Sequence, residues 1–342
     1  MQEIDKFGKL VEGSRKILIT SHISPDPDAL SSVLLLGTTL KHNYPGNTIV
    51  MALEEEPEGL DFLVGYSDIK FGSLLQTLKS AKSDLFVMLD APNYERCTRN
   101  DGYQLRQYLT QHSVKTVIID HHEPVGKKDE TDVYIHQTSI ATAQDVYEVC
   151  FKHLGLKKPP GYAETAMLGI YSDSGGFIYD NPRHRDTFKI VSDLIDSGVS
   201  LEAIKNRLER YSPDHLKALA EFAANVSHNK EYSQSFLSDG FVNRWVENGK
   251  SLVALNTAAG FFCNTYLRNI DGIKWGFIVY LNPLAGEGTY SASLRSESDV
   301  KDVSAIANSL GGGGHKPAAG AKIEAKSVEE AIQKVQQAIR GS

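Results

Sequence analysis

Short and almost uninterrupted apolar runs recur along the first half of the chain, and they constrain its fold more than any other feature. Segments with helical spacing separate them, among them an apolar segment at 29–40 and a polar one at 103–111. Runs in which neighbouring residues are all apolar are typical of strands buried on both faces, as in a parallel sheet covered by helices. We therefore predict a parallel-sheet α/β domain over residues 1–190, with strands at 17–20, 48–53, 84–89 and 115–119.

The second half of the chain has a different pattern. Helical spacing dominates residues 191–229, which we interpret as a helical connector. From residue 230 onward shorter elements alternate, so we interpret residues 230–342 as a second, smaller α/β domain. Its predicted elements are strands at 251–255, 275–281 and 289–294, helices at 300–310 and 327–339, and a glycine loop at 311–314.

The charge balance of the chain is acidic, with 36 Lys and Arg against 43 Asp and Glu and a net charge of −7. Non-specific binding of long nucleic acid normally depends on a basic face, so this class of protein is disfavoured. A small anionic substrate is still compatible with the charge, because a local cluster of metal ions or arginines can override the overall sign.

The cysteines and the lengths of the apolar runs indicate the compartment. The three cysteines, Cys97, Cys150 and Cys263, are far apart and form no CxxC pair. This argues against a disulfide framework and against a cysteine zinc site. The apolar runs are much shorter than the roughly 20 residues that cross a bilayer, and the first residues do not resemble a signal peptide. We expect a cytoplasmic protein without membrane contact.

Acidic residues and histidines follow several of the predicted apolar elements directly. The carboxyl ends of parallel strands meet at one edge of a sheet, so the clusters that follow strands converge there. Asp173 must reach the same place from the end of a helix. The residues concerned are His22, Asp26, Asp28, Asp90, Asp120, His121, His122 and Asp173.

So many carboxylates cannot all stay ionised at short range without a compensating positive charge. A pair of metal ions supplies it, and mixed carboxylate and imidazole ligands suit Mn²⁺ better than Ca²⁺. Mg²⁺ and Co²⁺ are alternatives, and Zn²⁺ stays an alternative that would bind without its softest ligand, a thiolate. Two ions about 3.5–4 Å apart form the usual arrangement for in-line attack on phosphorus. The pattern therefore indicates a two-metal phosphoesterase.

Taken together, these motifs resemble those of a known family. His22-x-x-x-Asp26-x-Asp28, Asp90, the Asp120–His122 triplet and Asp173 are similar to the four motifs of the DHH phosphoesterases. Residues 312–315, with the sequence Gly-Gly-Gly-His, resemble the glycine-histidine motif of the DHHA1 domain. In length and domain content the chain is most similar to the NrnA-like oligoribonucleases and 3′-phosphoadenosine-5′-phosphate (pAp) phosphatases.

The resemblance implies a role for each residue of these motifs. His22 and Asp26 would hold one metal, Asp28, His121 and Asp173 the other, and Asp90 would bridge both. His122 would face the substrate, and Asp120 would orient a histidine from behind, as metal sites generally require. The substrate would also be held by residues of the second domain: Arg295, Gly312, Gly313, Gly314 and His315. A site divided between two domains would favour very short substrates.

Taken one at a time, several of these residues also have simpler explanations. Asp28 precedes an apolar helix and could be its N-cap, a position that Asp favours. Asp120 could be a ligand, a supporting residue or only the end of a strand. The glycine run could be a flexible loop, and Arg295 could form a surface ion pair.

Two departures from the family pattern concern the substrate rather than the metals. Ser31 replaces a common glycine, and Gly176 stands where many NrnA-like sequences have arginine, so a substrate contact is missing. The expected substrates are short single-stranded RNA or DNA oligonucleotides, or pAp-type nucleotides. The alternatives are a phosphodiesterase that acts on cyclic or linear dinucleotides in signalling and a non-catalytic nucleotide sensor. A homodimer is compatible with the sequence.

Overall fold

The computed structural model describes residues 2–57, 59–122, 131–297 and 299–341. It consists of two compact units, residues 1–209 and residues 210–342. The division lies inside the segment 191–229 that we interpreted as a connector, because the helices of that segment are shared between the two units.

The first unit is built on a parallel sheet with the strand order β3-β2-β1-β4-β5-β6. Its strands are β1 Lys16–Thr20, β2 Thr48–Leu53, β3 Ile69–Phe71, β4 Leu85–Leu89, β5 Lys115–Asp120 and β6 Val133–His136. Its helices are α1 Gln2–Gly13, α2 Pro27–Asn43, α3 Leu74–Ala81, α4 Tyr94–Cys97, α5 Gly102–Gln111, α6 Thr142–Tyr147, α7 Tyr162–Asp173, α8 His184–Asp196 and α9 Leu201–Leu208. The prediction of a parallel α/β sheet is confirmed.

Apolar side chains cover this sheet on both faces. Ile17 and Ile19 of β1 belong to one buried cluster, and Leu18 belongs to a second cluster on the opposite face. Successive side chains of a strand point to opposite faces, so the absence of alternation in these runs reflects burial on both sides. The sheet edge at the carboxyl ends of β1, β4 and β5 is therefore a rigid base for the residues that follow these strands.

Helix α2 begins two residues earlier than the sequence pattern indicated. Asp26 is its N-cap, because the carboxylate accepts the backbone N–H of Ala29 at 2.9 Å, and Pro27 occupies the first turn. A proline suits this position because it needs no intrahelical partner for the N–H that it lacks. The interpretation of Asp28 as the cap is therefore wrong: Asp28 lies inside the first turn and is fully buried.

The second unit contains a mixed sheet with the strand order β11-β12-β10-β9-β8-β7, in which β8 and β9 run parallel. Its strands are β7 Ser227–His228, β8 Ser233–Phe236, β9 Trp275–Leu281, β10 Thr289–Ser296, β11 Gly313–His315 and β12 Ala318–Glu324. Its helices are α10 Pro213–Ala224, α11 Asp239–Glu247, α12 Leu252–Thr265, α13 Val303–Ser309 and α14 Val328–Arg340. The expected second α/β unit is confirmed.

The strand predicted at 251–255 is wrong, because this segment begins helix α12. The Ser251 side chain accepts the backbone N–H of Ala254 at 3.2 Å and caps the helix. Leu255, Ala259 and Cys263 are then buried at helical spacing. A short apolar run cannot be assigned to helix or strand by periodicity alone, and here the Ser cap was the missing signal. Within the described ranges, no helix combines the length and apolar character needed to span a membrane.

Candidate metal centre

The carboxylates and imidazoles predicted from the first unit converge around Asp90. Asp90 follows β4, His22 follows β1, and His121 follows β5. The Asp90 Oδ2 atom lies 3.4 Å from His22 Nε2, and its Oδ1 atom lies 3.5 Å from His121 Nε2. Each oxygen of this one buried carboxylate thus faces a different histidine, which suits a ligand shared between two cations.

The remaining side chains join this centre from two helix ends. From the start of α2, Asp26 places Oδ2 3.8 Å from His22 Nε2. From the end of α7, Asp173 places Oδ2 3.3 Å from His121 Nε2. Donor atoms within 4.8 Å of one another form three sets that could each hold an ion: His22, Asp26 and Asp90; Asp28, His121 and Asp173; and Asp90, His121 and His122.

The two histidines beside Asp90 are held in the tautomer that a metal ligand requires. His22 Nδ1–H donates to the carbonyl of Ile23 at 2.7 Å, and His121 Nδ1–H donates to the carbonyl of Ser139 at 3.1 Å. Both Nε2 atoms then face carboxylate oxygens. Burial alone would lower the pKa of His22, but its contacts with Asp90, the Ile23 carbonyl and Asp26 raise it. Burial lowers the pKa of His121 and keeps it neutral. Its Nε2 is buried and has no hydrogen-bond partner among the described residues, so a cation would satisfy an atom that is otherwise unpaired.

Asp28 is buried beneath this centre and is held by the backbone. Its two carboxylate oxygens accept the N–H groups of Thr142 and Ala143, at 2.7 and 2.9 Å. Burial, together with the charges of Asp173 and Asp90, nevertheless raises the pKa of Asp28 well above its ordinary value. The fixed N–H groups therefore do not compensate for the missing positive charge.

Asp90 and Asp173 respond to the same surroundings in opposite ways. Burial alone would raise the pKa of Asp90, but hydrogen bonds from His122 and His22 outweigh burial and hold it well below its ordinary value. Burial and the charges of Asp26 and Asp90 raise the pKa of Asp173 to about 8. Without a cation, Asp90 is therefore ionised at neutral pH, whereas Asp173 is largely protonated. The donor set fits divalent metal ions, which would allow all of its carboxylates to ionise.

His122 and Asp120 form a separate pair beside the centre. One oxygen of the buried Asp120 accepts the backbone N–H of His122 at 3.2 Å and its Nδ1–H at 2.9 Å. Hydrogen bonds to Asp120 and Asp90 raise the pKa of His122 to about 10, so its ring is cationic at neutral pH. The side chain is half-exposed. Because Nδ1 is engaged, Nε2–H is the ring donor that a substrate can reach.

Several residues that support the site had no signal in the sequence. Thr142 Oγ1 donates to Asp90 at 2.9 Å, in addition to the backbone contact with Asp28. Behind His121, the Ser139 hydroxyl donates to the buried Asp145, and Arg183 Nη1 donates to Ser139 Oγ at 2.5 Å. Arg183 also pairs with the buried Glu148 at 2.6 Å. These residues lie outside the strands and helices predicted from the sequence.

The residues predicted to hold substrate lie in the second unit and are described within it. Residues 313–315 form strand β11, which pairs with β12 and is exposed. A Cβ at Gly312 would lie 2.2 Å from the carbonyl oxygen of Gly320, and one at Gly314 would lie 2.5 Å from the Cα of Ala319. The end of the glycine run is thus a paired strand rather than a flexible loop, and close packing on β12 requires Gly312 and Gly314.

Arg295 lies on β10 and is half-buried. Its Nη1 donates to the carbonyl of Leu294 at 2.9 Å and to that of Ala319 at 3.4 Å. Among the described residues it makes no carboxylate contact within ion-pair distance, so the surface ion pair considered for it is absent there. The guanidinium is held in place by the sheet and keeps donors for an anion.

Comparison with known proteins identifies the family. The chain belongs to the DHH family: the model of the DHH family N-terminal domain matches residues 16–170, and the model of the DHHA1 domain matches residues 240–341. This confirms the resemblance seen in the motifs. In fold, the chain is similar to an exopolyphosphatase-related protein from Bacteroides fragilis, with a TM-score of 0.83 and 21% identity over 99% of this chain and 96% of that one.

Two curated relatives are similar to the chain and cover different shares of it. The bifunctional oligoribonuclease and PAP phosphatase NrnA of Bacillus subtilis is 26% identical over 314 residues, which cover 90% of this chain and 89% of the relative. The A-adding tRNA nucleotidyltransferase of Aquifex aeolicus is 25% identical over 258 residues, or 74% of this chain. The chain spans only 29% of the length of that relative.

Proposed function

We propose that this protein hydrolyses phosphoester bonds of short oligoribonucleotides and of pAp-type nucleotides. The reaction would use two divalent cations, and Mn²⁺ is the expected ion. The observation that carries the proposal is the position of Asp90, whose two oxygens face two separate histidines, each with a further carboxylate close by. A similar relative named as an oligoribonuclease and PAP phosphatase matches this chain over nearly its whole length, which supports the substrate class.

The ligands divide into two sets around the shared carboxylate. His22, Asp26 and Asp90 would hold one cation, and Asp28, His121, Asp173 and Asp90 the other. When bound, the two cations supply the positive charge and the activated water that attack on phosphorus requires. The Ile23 and Ser139 carbonyls fix the histidine tautomers in advance, so little reorganisation accompanies binding of the cations.

His122 would act on the substrate rather than on a metal. Its ring is held by Asp120 through Nδ1, carries a positive charge at neutral pH and is half-exposed. Its Nε2–H can therefore neutralise a phosphate oxygen or give a proton to the leaving oxygen. The second unit would contribute anion contacts from Arg295, from His315 and from the backbone of residues 312–314. Arginine suits this role because its planar guanidinium matches two phosphate oxygens.

A substrate panel with product analysis tests the proposal. The panel comprises pAp, labelled single strands of two to ten nucleotides, and linear and cyclic dinucleotides, each incubated with Mn²⁺ or Mg²⁺ and analysed by mass spectrometry. We expect metal-dependent release of mononucleotides or phosphate, fastest for the shortest substrates. Full activity after exhaustive chelation would refute the metal mechanism. A strong preference for dinucleotides over pAp and longer strands would favour the signalling phosphodiesterase instead. A cytoplasmic location and a homodimer stay predictions.

A further inference from the structure

The loop that follows Asp173 has an unusual backbone. Three consecutive residues, Gly175, Gly176 and Phe177, have positive φ angles of 59°, 72° and 70°. A phenylalanine in this region is strained, because its Cβ approaches the backbone. Ser174 holds the turn closed: its hydroxyl accepts the N–H of Phe177 at 2.9 Å, and its carbonyl accepts those of Ile178 and Tyr179 at 2.9 and 3.0 Å. Strain that is maintained beside a metal ligand points to a functional purpose.

The effect of this backbone is to lay the ring of Tyr179 over Gly175. A Cβ built on Gly175 would lie 2.7, 2.7 and 3.0 Å from three ring carbons of Tyr179. Since these distances are nearly equal, Gly175 lies beneath the face of the ring rather than at its edge. Any other residue at position 175 would displace the ring. Tyr179 is thereby held over Gly175, which follows Asp173 by two residues, while 44% of Tyr179 is exposed.

Phe177, the other aromatic residue of this turn, packs against neighbouring aromatic rings. Its ring contacts the ring of Tyr171 with centroids 5.5 Å apart and that of Phe188 with centroids 5.7 Å apart. It is half-buried and anchors the loop to α7 and α8. Tyr179 is therefore the aromatic ring of the 174–180 segment that presents a supported, exposed face.

We propose that Tyr179 stacks on the nucleobase of the nucleotide whose phosphate is bound at the metal centre. A nucleobase is one ribose away from its phosphate, and every base has a flat face that an aromatic ring can stack on irrespective of sequence. Gly176 offers no side chain here, so the loop grips the nucleoside by stacking rather than by charge. This inference rests on the proposed function, because it assumes a nucleotide substrate.

Equilibrium binding separates stacking from hydrolysis. AMP and ribose 5-phosphate carry the same phosphate and sugar, but only AMP has a base. With Mn²⁺ present, we expect calorimetry to show that the wild-type protein binds AMP about 10- to 100-fold more tightly than ribose 5-phosphate. Tyr179→Ala should remove most of this difference and leave the affinity for ribose 5-phosphate unchanged, and Tyr179→Phe should retain the difference because it keeps the ring.

Two further variants serve as controls. Tyr103→Ala removes an exposed tyrosine of α5, and Ile178→Ala removes an exposed apolar side chain next to the ring; neither should change the ratio of the two affinities. Equal binding of AMP and ribose 5-phosphate by the wild type, or an unchanged ratio in Tyr179→Ala, would overturn the stacking proposal. If the ratio depends on Tyr179 but no substrate of the panel is cleaved, the stacking inference stands and the proposed hydrolysis fails.

Discussion

The metal centre of the first unit and the glycine segment of the second contain the residues that form the family motifs, but the fold explains them to different extents. Around Asp90, carboxylates and imidazoles face one another at 3.3–3.5 Å, burial raises the pKa of Asp28 and Asp173, and Nε2 of His121 is unpaired among the described residues. Such an arrangement costs stability unless a cation is bound. In the glycine segment, by contrast, close pairing of β11 with β12 already requires Gly312 and Gly314.

The comparison shows which motif residues need a function to explain them. Carboxylates whose charge is uncompensated, such as Asp28 and Asp173, have no explanation in folding alone, so they support the proposed metal site. A glycine that packs against a neighbouring strand is explained by folding alone. The substrate role that we propose for the second unit therefore depends on Arg295 and His315 rather than on the glycines between them.

The largest effect is expected from Asp90→Ala, which removes the carboxylate shared by both ligand sets. Turnover should fall by about a thousandfold or more, because both sets lose a ligand. The metal-free variant should stay folded but melt at a lower temperature than the wild type, because the histidine contacts that hold the pKa of Asp90 low are lost. Hydrolysis assays, circular dichroism and metal analysis of the dialysed protein check this.

Asp61→Ala is the matched control, since it removes an exposed aspartate of the same unit. It should leave turnover and metal content unchanged. Manganese-dependent hydrolysis at the wild-type rate in Asp90→Ala would contradict the assignment of Asp90 as the shared ligand and would remove the contrast between the two regions.

A smaller effect is expected behind His121, at Arg183. Arg183→Met leaves the buried Glu148 and Asp145 without their guanidinium and loosens Ser139, whose carbonyl orients His121. Residues that orient a ligand typically change metal affinity by about 10- to 100-fold. Titration with Mn²⁺ should show this loss at one of two sites. Arg185→Met, which changes the exposed neighbour, should bind both ions normally, and equal affinities in the two variants would refute a positioning role for Arg183.

The pH dependence of stability tests the uncompensated charge itself. Asp173 has a pKa of about 8 in the folded protein against an ordinary 3.8, so the folded state binds more protons between these values and loses stability as the pH rises through them. The metal-free protein should lose roughly 5 °C of melting temperature relative to Asp173→Asn between pH 5 and pH 8, an estimate that assumes about 2 kcal/mol. Added Mn²⁺ should reverse the trend in the wild type. If the melting temperature of the wild type changed with pH as much as that of Asp173→Asn, the pKa of Asp173 would not be raised.

Much of this architecture could be predicted from the sequence, and the failures have physical causes. The strands that lead to His22, Asp90 and Asp120 were predictable because burial on both faces leaves uninterrupted apolar runs. The support of His121 by Ser139 was not, because it depends on how the β6–α6 connection folds back over the end of β5. The segment 251–255 was misassigned because an apolar run of four residues, 252–255, fits either a strand or a buried helix turn.

The smallest effect separates packing from substrate binding within the glycine segment. Gly314 has a φ of 140°, and a Cβ there would collide with Ala319, so Gly314→Ala should destabilise the second unit by about 1–3 kcal/mol. His315→Ala should leave stability unchanged, because the side chain is exposed, and should raise KM for the shortest substrates severalfold. Denaturant unfolding and steady-state kinetics measure the two effects separately. If His315→Ala left KM unchanged while Gly314→Ala unfolded the unit, packing alone would account for the motif, and the anion contact would rest on Arg295.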